Sequence, residues 1–171
     1  MPGLFGRLAA SQHVLVAVLS AWLILTSPWV HMLRQIPRNA GFLEYAHIVV
    51  GLVVLVLAVT FSVSCLQLGR WRHYFPWLVG NFRPVWGDVR GLFRGKIPSA
   101  EGPGLFGVIK GLLLASLLAA ALTGAGWLVF EGTAEAVHWR RYHIAAAQLM
   151  GVCYVGHIVA ASLHVLEFIR E

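Results

Sequence analysis

Long apolar runs alternate with shorter polar connections along the whole chain. A helix needs about 20 apolar residues to cross a hydrocarbon core about 30 Å thick, and four runs reach that length. Because the connections are too short to hold a separate soluble domain, we predict one all-α unit over residues 1–171, an integral membrane four-helix bundle. The predicted helices cover about residues 11–30, 42–68, 105–130 and 143–168.

Composition supports a membrane protein. Hydrophobic residues make up 58% of the chain and charged residues only 12%, whereas soluble domains carry about 25% charged residues. The first run ends in Ser27-Pro28-Trp29 rather than in a small-residue cleavage site, so we expect a retained helix and not a signal peptide. The net charge of +6 comes from basic residues that flank the spans, so we expect contact with membrane lipid and no binding of nucleic acid.

The distribution of Lys and Arg predicts the orientation, because cytoplasmic loops carry the excess of positive charge. Eight basic residues lie in the termini and the second loop, against four in the first and third loops. We therefore predict that both termini and the long second loop are cytoplasmic. The two sets are Arg7, Arg70, Arg72, Arg83, Arg90, Arg94, Lys96 and Arg170 against Arg34, Arg38, Arg140 and Arg141.

The second loop, about Gly69–Gly104, is long and amphipathic. Its aromatic residues alternate with arginines, a combination that suits the headgroup layer of a membrane. We predict a short interfacial helix over Asp88–Arg94. The loop either lies on the lipid surface or docks a partner subunit, and the two interpretations are compatible.

Histidines lie inside the apolar runs. An ionisable residue within a membrane span indicates a functional site, and His13, His47, His143 and His157 are four such residues. His143 and His157 are separated by about 21 Å along one helix and come within about 40° of the same face. One helix thus presents two imidazoles at two depths.

Topology predicts the partners of these imidazoles. His47 and His143 both lie near the outer side, and His13 pairs with His157 nearer the cytoplasm. His164 matches the depth of His13 equally well, so geometry leaves that pairing open; His164 alternatively contacts a haem propionate or a quinone. Two neutral imidazoles suit a low-spin iron centre without an open position, and the absence of C-x-x-C-H implies non-covalent haem.

Other residues near these histidines are candidates for the same sites. Gly51 follows His47 by one turn, and Gly124, Gly151 and Gly156 leave room for a flat macrocycle or for ordinary helix packing. Arg140 and Arg141 either pair with propionates or flank the helix as positive charges. We assign residues 131–142 to the third loop, which places His138 in a loop.

Several short motifs occur together. The first helix has His13 early, and the second has an H-x-x-x-G motif formed by His47 and Gly51. The third helix has Thr123-Gly124 late, and the fourth has an H-x13-H motif formed by His143 and His157. In these features nearly the whole chain resembles the bacterial cytochrome b561 family, which includes the di-haem cytochrome b subunits of nickel–iron hydrogenases, formate dehydrogenases and thiosulfate reductases. The resemblance implies that His13, His47, His143 and His157 are axial ligands of two b-type haems in a bacterial inner membrane.

The resemblance also implies a function, electron transfer between a redox partner subunit or cytochrome and the quinone pool. Formate-dehydrogenase-type members have an Asn-x-Gly segment that contacts quinone, whereas this chain has Glu101-Gly102-Pro103-Gly104. The alternative is a stand-alone superoxide:quinone oxidoreductase, in which Arg140 and Arg141, with Arg34 or Arg38, steer superoxide to the outer haem. A haem-free membrane anchor is the third possibility.

Overall fold

The fold is entirely helical in the residues that the structure, a computed structural model, describes, namely 4–98 and 102–170. Six α-helices and two short 3₁₀ turns occur there, and no strand. The helices are α1 (Leu4–Thr26), α2 (Phe42–Gln67), α3 (Trp71–Tyr74), α4 (Arg83–Leu92), α5 (Leu105–Val129) and α6 (Glu135–Arg170), and the 3₁₀ turns are Ser27–Trp29 and Pro76–Leu78.

Four helices are long and apolar enough to cross a membrane. Large apolar side chains remain exposed on them, as at Val56 (62%) and Val152 (72%), which suits contact with lipid. The all-α membrane class is therefore confirmed, whereas the orientation of the termini stays a prediction. The four spans are Ser11–Trp29, Phe42–Gln67, Leu105–Val129 and Glu135–Leu163.

The last helix begins well before the predicted start at residue 143. It starts at Glu135, whose carboxylate suits the positive end of the helix dipole. Ala136 is fully buried, and Trp139 stacks on Phe130 with ring centroids 5.9 Å apart. The polar stretch assigned to the third loop is thus an amphipathic start of α6, and the loop position predicted for His138 is wrong.

The chain divides into two compact units, Met1–Ser64 with Ser116–Gln148, and Cys65–Ala115 with Leu149–Glu171. In the first unit, α1 is bonded to α2 through one amide side chain. The Gln12 amide donates to the Leu57 carbonyl at 3.0 Å and to the Thr60 hydroxyl at 2.5 Å.

The prediction of a single domain stays a prediction.

In the second unit, the long second loop is folded and packs on the start of α5. A Cβ at Gly107 or Gly111 would collide with the carbonyl oxygens of His73 and Tyr74 at the end of α3, so these glycines permit a close backbone approach. Burial raises the pKa of the Tyr74 phenol above its ordinary value. The end of α3 in this loop therefore packs against the first turns of α5.

Asp88 joins α4 to the beginning of α5. Its carboxylate accepts a hydrogen bond from the backbone N–H of Leu105 at 2.7 Å, and so caps one of the N–H groups that a helix start leaves unpaired. Gly104 leaves the space that this carboxylate occupies. The predicted helix over residues 88–94 is present but is shifted towards the N-terminus, to Arg83–Leu92.

Candidate bis-histidine site

Two of the predicted histidines lie together in the first unit. The ring centroids of His47, near the start of α2, and His143, on α6, are 6.2 Å apart, and the ring planes are nearly perpendicular at 88°. Both residues are half-buried. The structure therefore brings together the pair that the topology predicted for one side of the membrane.

The His143 ring is held by a backbone carbonyl of α5. Its Nδ1 lies 2.8 Å from the Ala120 carbonyl oxygen. Because a carbonyl only accepts hydrogen bonds, Nδ1 carries the proton and donates it. Metal-binding histidines typically donate their second ring N–H in this way. In the neutral ring, Nε2 then keeps its lone pair and is the atom available to a metal.

Gly124 gives the His143 ring its room beside α5. A Cβ at Gly124 would lie 3.1 Å from Nδ1 and 3.2 Å from Cε1 of His143. These contacts are tighter than ordinary packing, so a side chain at this position would press on the imidazole. The space that the sequence suggested for a macrocycle is here filled by the imidazole itself.

The His47 ring has a buried nitrogen without an internal partner. Among the described residues, no hydrogen-bond partner lies near its Nδ1. A buried polar atom left in this state is costly, and native structures compensate it in nearly every case. A metal bond is one compensation open to an imidazole nitrogen.

The distance between the two ring centroids is the distance expected for two imidazoles that bind one metal ion. A metal–imidazole nitrogen bond is about 2 Å long, and the ring centroid lies roughly 1 Å beyond the nitrogen. Two opposed rings on one metal therefore have centroids roughly 6 Å apart, which agrees with the 6.2 Å observed. The residues present thus fit a bis-imidazole iron, as in a low-spin haem.

Gly51 lies on α2, one turn beyond His47. A Cβ added there would meet no atom within 4 Å. The open space agrees with the predicted room for a macrocycle, and that role of Gly51 stays a prediction.

Arg140 and Arg141, which the sequence placed beside the outer haem, differ in their surroundings. Arg140 donates from Nε to the Met32 carbonyl at 2.7 Å, so part of its guanidinium holds the first loop. Arg141 is exposed. Pairing with propionates, and steering of superoxide, stay predictions for both residues.

A set of hydrogen bonds that was not predicted from the sequence connects the first loop to the region around α5 and α6. We call this set the loop clasp. Each bond uses a backbone atom of the first loop, and the two partners are far apart in the chain. The bonds are Trp127 Nε1 to Leu33 O (2.9 Å), Arg140 Nε to Met32 O (2.7 Å), Gly132 N to Arg34 O (2.9 Å) and Ile36 N to a Glu131 carboxylate oxygen (2.9 Å).

Trp127→Phe is expected to weaken the loop clasp without changing haem content. The substitution removes the indole N–H that donates a hydrogen bond to the Leu33 carbonyl. Loss of this bond is expected to lower the free energy of unfolding by about 1 kcal/mol. Thermal unfolding of the purified protein measures the effect. Trp29→Phe is the matched control, because Trp29 is 61% exposed; equal melting temperatures for the two variants would contradict the role of the clasp.

The second predicted pair is not placed in the same way. His13, in the first unit, is exposed, with its ring centroid 6.3 Å from that of Phe61. His157 belongs to the second unit and is half-buried. The side chain of His164, and Glu101 of the segment entering α5, lie outside the described residues. The pairing of His13 with His157 or His164 therefore stays a prediction.

The structure defines a helical membrane protein in which two histidines from different helices lie together. Two imidazoles are a ligand set that haem iron accepts. No group of three or more His, Cys, Asp or Glu side chains suited to a metal occurs in the described part of the chain. The family model of prokaryotic cytochrome b561 matches residues 4–168, and the chain belongs to that family. It is a membrane b-type cytochrome of electron transfer. No curated protein and no solved structure matches the chain.

Proposed function

We propose that this chain is a di-haem cytochrome that carries electrons between a redox partner subunit and the quinone pool. His47 and His143 hold one b-type haem, and His13 with His157 hold the other. The observation that carries the proposal is the imidazole pair, with centroids 6.2 Å apart and with Nδ1 of one ring bonded to the Ala120 carbonyl.

The iron supplies one-electron redox chemistry when haem is bound, and the protein supplies ligands, orientation and surroundings. The Ala120 carbonyl accepts a hydrogen bond from Nδ1 of His143 and so fixes the tautomer of the ring. The lone pair of the ring is then on Nε2, the nitrogen that does not bond to Ala120. His47 contributes a half-buried ring at the matching distance. With haem bound, His47 and His143 would be its two protein ligands and would leave the iron no open position, which would favour electron transfer over binding of a third ligand.

Quinone is proposed as the partner within the lipid. Quinones dissolve in the hydrocarbon core, and the spanning helices of this chain expose apolar faces to it. We place the quinone contact near His157 or His164 and the start of α5, at the haem predicted to lie nearer the cytoplasm. The partner subunit then donates or accepts the electrons at the haem proposed for His47 and His143.

The purified full chain in lipid nanodiscs is expected to contain two b-type haems, and an added short-chain ubiquinol is expected to reduce both. A reduced-minus-oxidised spectrum with haem quantification measures this result. His157→Ala is expected to slow reduction by quinol strongly, whereas His73→Ala, which changes an exposed histidine of the second loop, leaves the rate unchanged.

Colourless protein, or haem that quinol does not reduce, would overturn the proposal. Rapid quinone reduction by superoxide in the chain alone would instead favour the superoxide oxidase alternative. A quinone-site inhibitor that shifted only the spectrum of the His47–His143 haem would contradict the placement of the quinone.

A further inference from the structure

Helix α4 has two chemically different faces. Arg83, Trp86, Gly87 and Arg90 are three, four and seven positions apart and therefore share one side of the helix. All four are exposed. The opposite side carries Asp88, which is bonded to the start of α5. The bond on one side thus leaves the basic and aromatic side facing outward.

The outward face of α4 carries a shallow, open depression. Arg83, Trp86, Gly87 and Arg90 line an open depression of about 620 Å³. A Cβ at Gly87 would meet no atom within 4 Å, so the space between the larger side chains stays open. No carboxylate is among the described residues that line it, so two guanidinium charges dominate the depression.

Helix α4 is hydrogen-bonded to the first residue of a helix long and apolar enough to cross a membrane. Asp88 bonds to Leu105, the first residue of the span Leu105–Val129. The carbonyls of α3 lie against Gly107 and Gly111, in the first two turns of the same span. α3 and α4 therefore lie beside the start of α5, where this span would enter the membrane at the level of the lipid phosphates.

We propose that Arg83, Trp86 and Arg90 form a binding site for the headgroup of an anionic phospholipid. Guanidinium groups bind phosphate oxygens through charge-assisted, often bidentate hydrogen bonds. The Trp86 indole, 63% exposed, has the amphipathic character favoured at the interface. Phe82 (50%) and Phe93 (88%) are exposed at the two ends of α4 and supply apolar surface for the acyl chains.

Charge complementarity favours a lipid with net negative charge over a zwitterionic one. Each basic residue near an anionic membrane surface strengthens binding about fivefold. Removal of both arginines is therefore expected to weaken binding more than tenfold. Phosphatidylcholine also carries a phosphate, but its choline cation cancels the attraction.

Quenching of Trp86 by brominated lipid tests the site. The haem-loaded full chain is placed in phosphatidylcholine nanodiscs that contain a minor fraction of brominated phosphatidylglycerol or, in the second arm, brominated phosphatidylcholine. The chain has seven tryptophans, so the signal of Trp86 is taken as the difference between the wild type and Trp86→Phe. We expect half-maximal quenching at a much lower mole fraction of phosphatidylglycerol than of phosphatidylcholine.

The charge variants separate a defined site from general attraction. The double variant Arg83→Gln with Arg90→Gln is expected to raise the half-quenching fraction of phosphatidylglycerol more than tenfold. The matched control, Arg94→Gln with Lys96→Gln, removes the same charge from exposed positions in the same loop and is expected to keep the wild-type value. Unchanged haem content in both variants shows that the fold is intact.

Three results would overturn the proposal. Equal quenching by the two lipids would exclude selectivity for negative charge, and an equal loss in both double variants would exclude a local site. Displacement of the lipid by inorganic phosphate at physiological concentration would indicate a site for a free anion. Loss of quenching when a copurified partner subunit is present would assign the face to a protein interface instead.

Discussion

Replacement of His143 by alanine is expected to remove one of the two b-type haems, or both, from the purified chain. The substitution deletes an imidazole whose centroid lies 6.2 Å from that of His47. The proposed iron therefore loses one of its two imidazole ligands. The bond to the Ala120 carbonyl is lost at the same time. The measurement is haem per chain, from the reduced-minus-oxidised spectrum and extracted haem.

Stability is expected to fall with the haem. A ligand bound at about a thousand times its dissociation constant stabilises the native state by about 4 kcal/mol, and that contribution disappears with the ligand. Loss of the hydrogen bond to Ala120 adds about 1 kcal/mol. A clear decrease in melting temperature of the detergent-solubilised variant is therefore expected.

His138→Ala is the matched control, because it changes a histidine of the same helix. His138 is exposed and lies 3.4 Å from Glu135 on the surface of α6, so its replacement is expected to leave haem content and stability within error of wild type. If His143→Ala kept both haems, the ligand assignment at this site would be wrong. Loss of haem in both variants would point to a general effect on α6.

Gly124→Val is expected to remove haem from the same site. The substitution leaves His143 in the sequence but pushes its imidazole out of position. Even a Cβ at this position would lie 3.1 Å from Nδ1 of His143, and the two γ-methyl groups need still more room. The imidazole must move away from the Ala120 carbonyl, and overpacking of this kind costs about 1–3 kcal/mol. The expected spectrum shows the haem of the His47–His143 pair shifted or lost, with the other haem retained.

Ala119→Val provides the comparison. It adds bulk on the same helix at an exposed position, so the valine contacts lipid rather than a histidine, and a wild-type spectrum is expected. Gly124→Ala should give an intermediate result, because one methyl group requires a shift of only a few tenths of an ångström. A wild-type spectrum for Gly124→Val would show that the His143 ring does not depend on this space.

The spanning helices could be predicted from the sequence because the length of an apolar run is a direct physical requirement of the membrane. The predicted second span, residues 42–68, agrees closely with Phe42–Gln67. The start of α6 was missed because residues 135–142 are polar enough to interrupt the hydropathy pattern. Burial of Ala136 and stacking of Trp139 on Phe130 are tertiary effects that the local pattern does not show.

The His47–His143 pair was predictable from depth, since both residues follow the starts of helices that enter from the same side. The carbonyl of Ala120 was not predictable, because a backbone acceptor leaves no mark on residue type. The neighbour of Gly124 was not predictable either, since a glycine indicates a close approach without naming the group that approaches, and the sequence left a macrocycle and ordinary helix packing open. The ligand opposite His13 stays a prediction, with His157 and His164 as the candidates.

The loop clasp places few constraints on which side chains evolution can accept at residues 32–34. Every bond in it uses a main-chain atom of residues 32–36, so the identities of Met32, Leu33 and Arg34 are not what holds the connection. Diverse side chains should be tolerated at these positions in descendants of this gene. Proline at Ile36 is the exception, because it would abolish the N–H that meets Glu131.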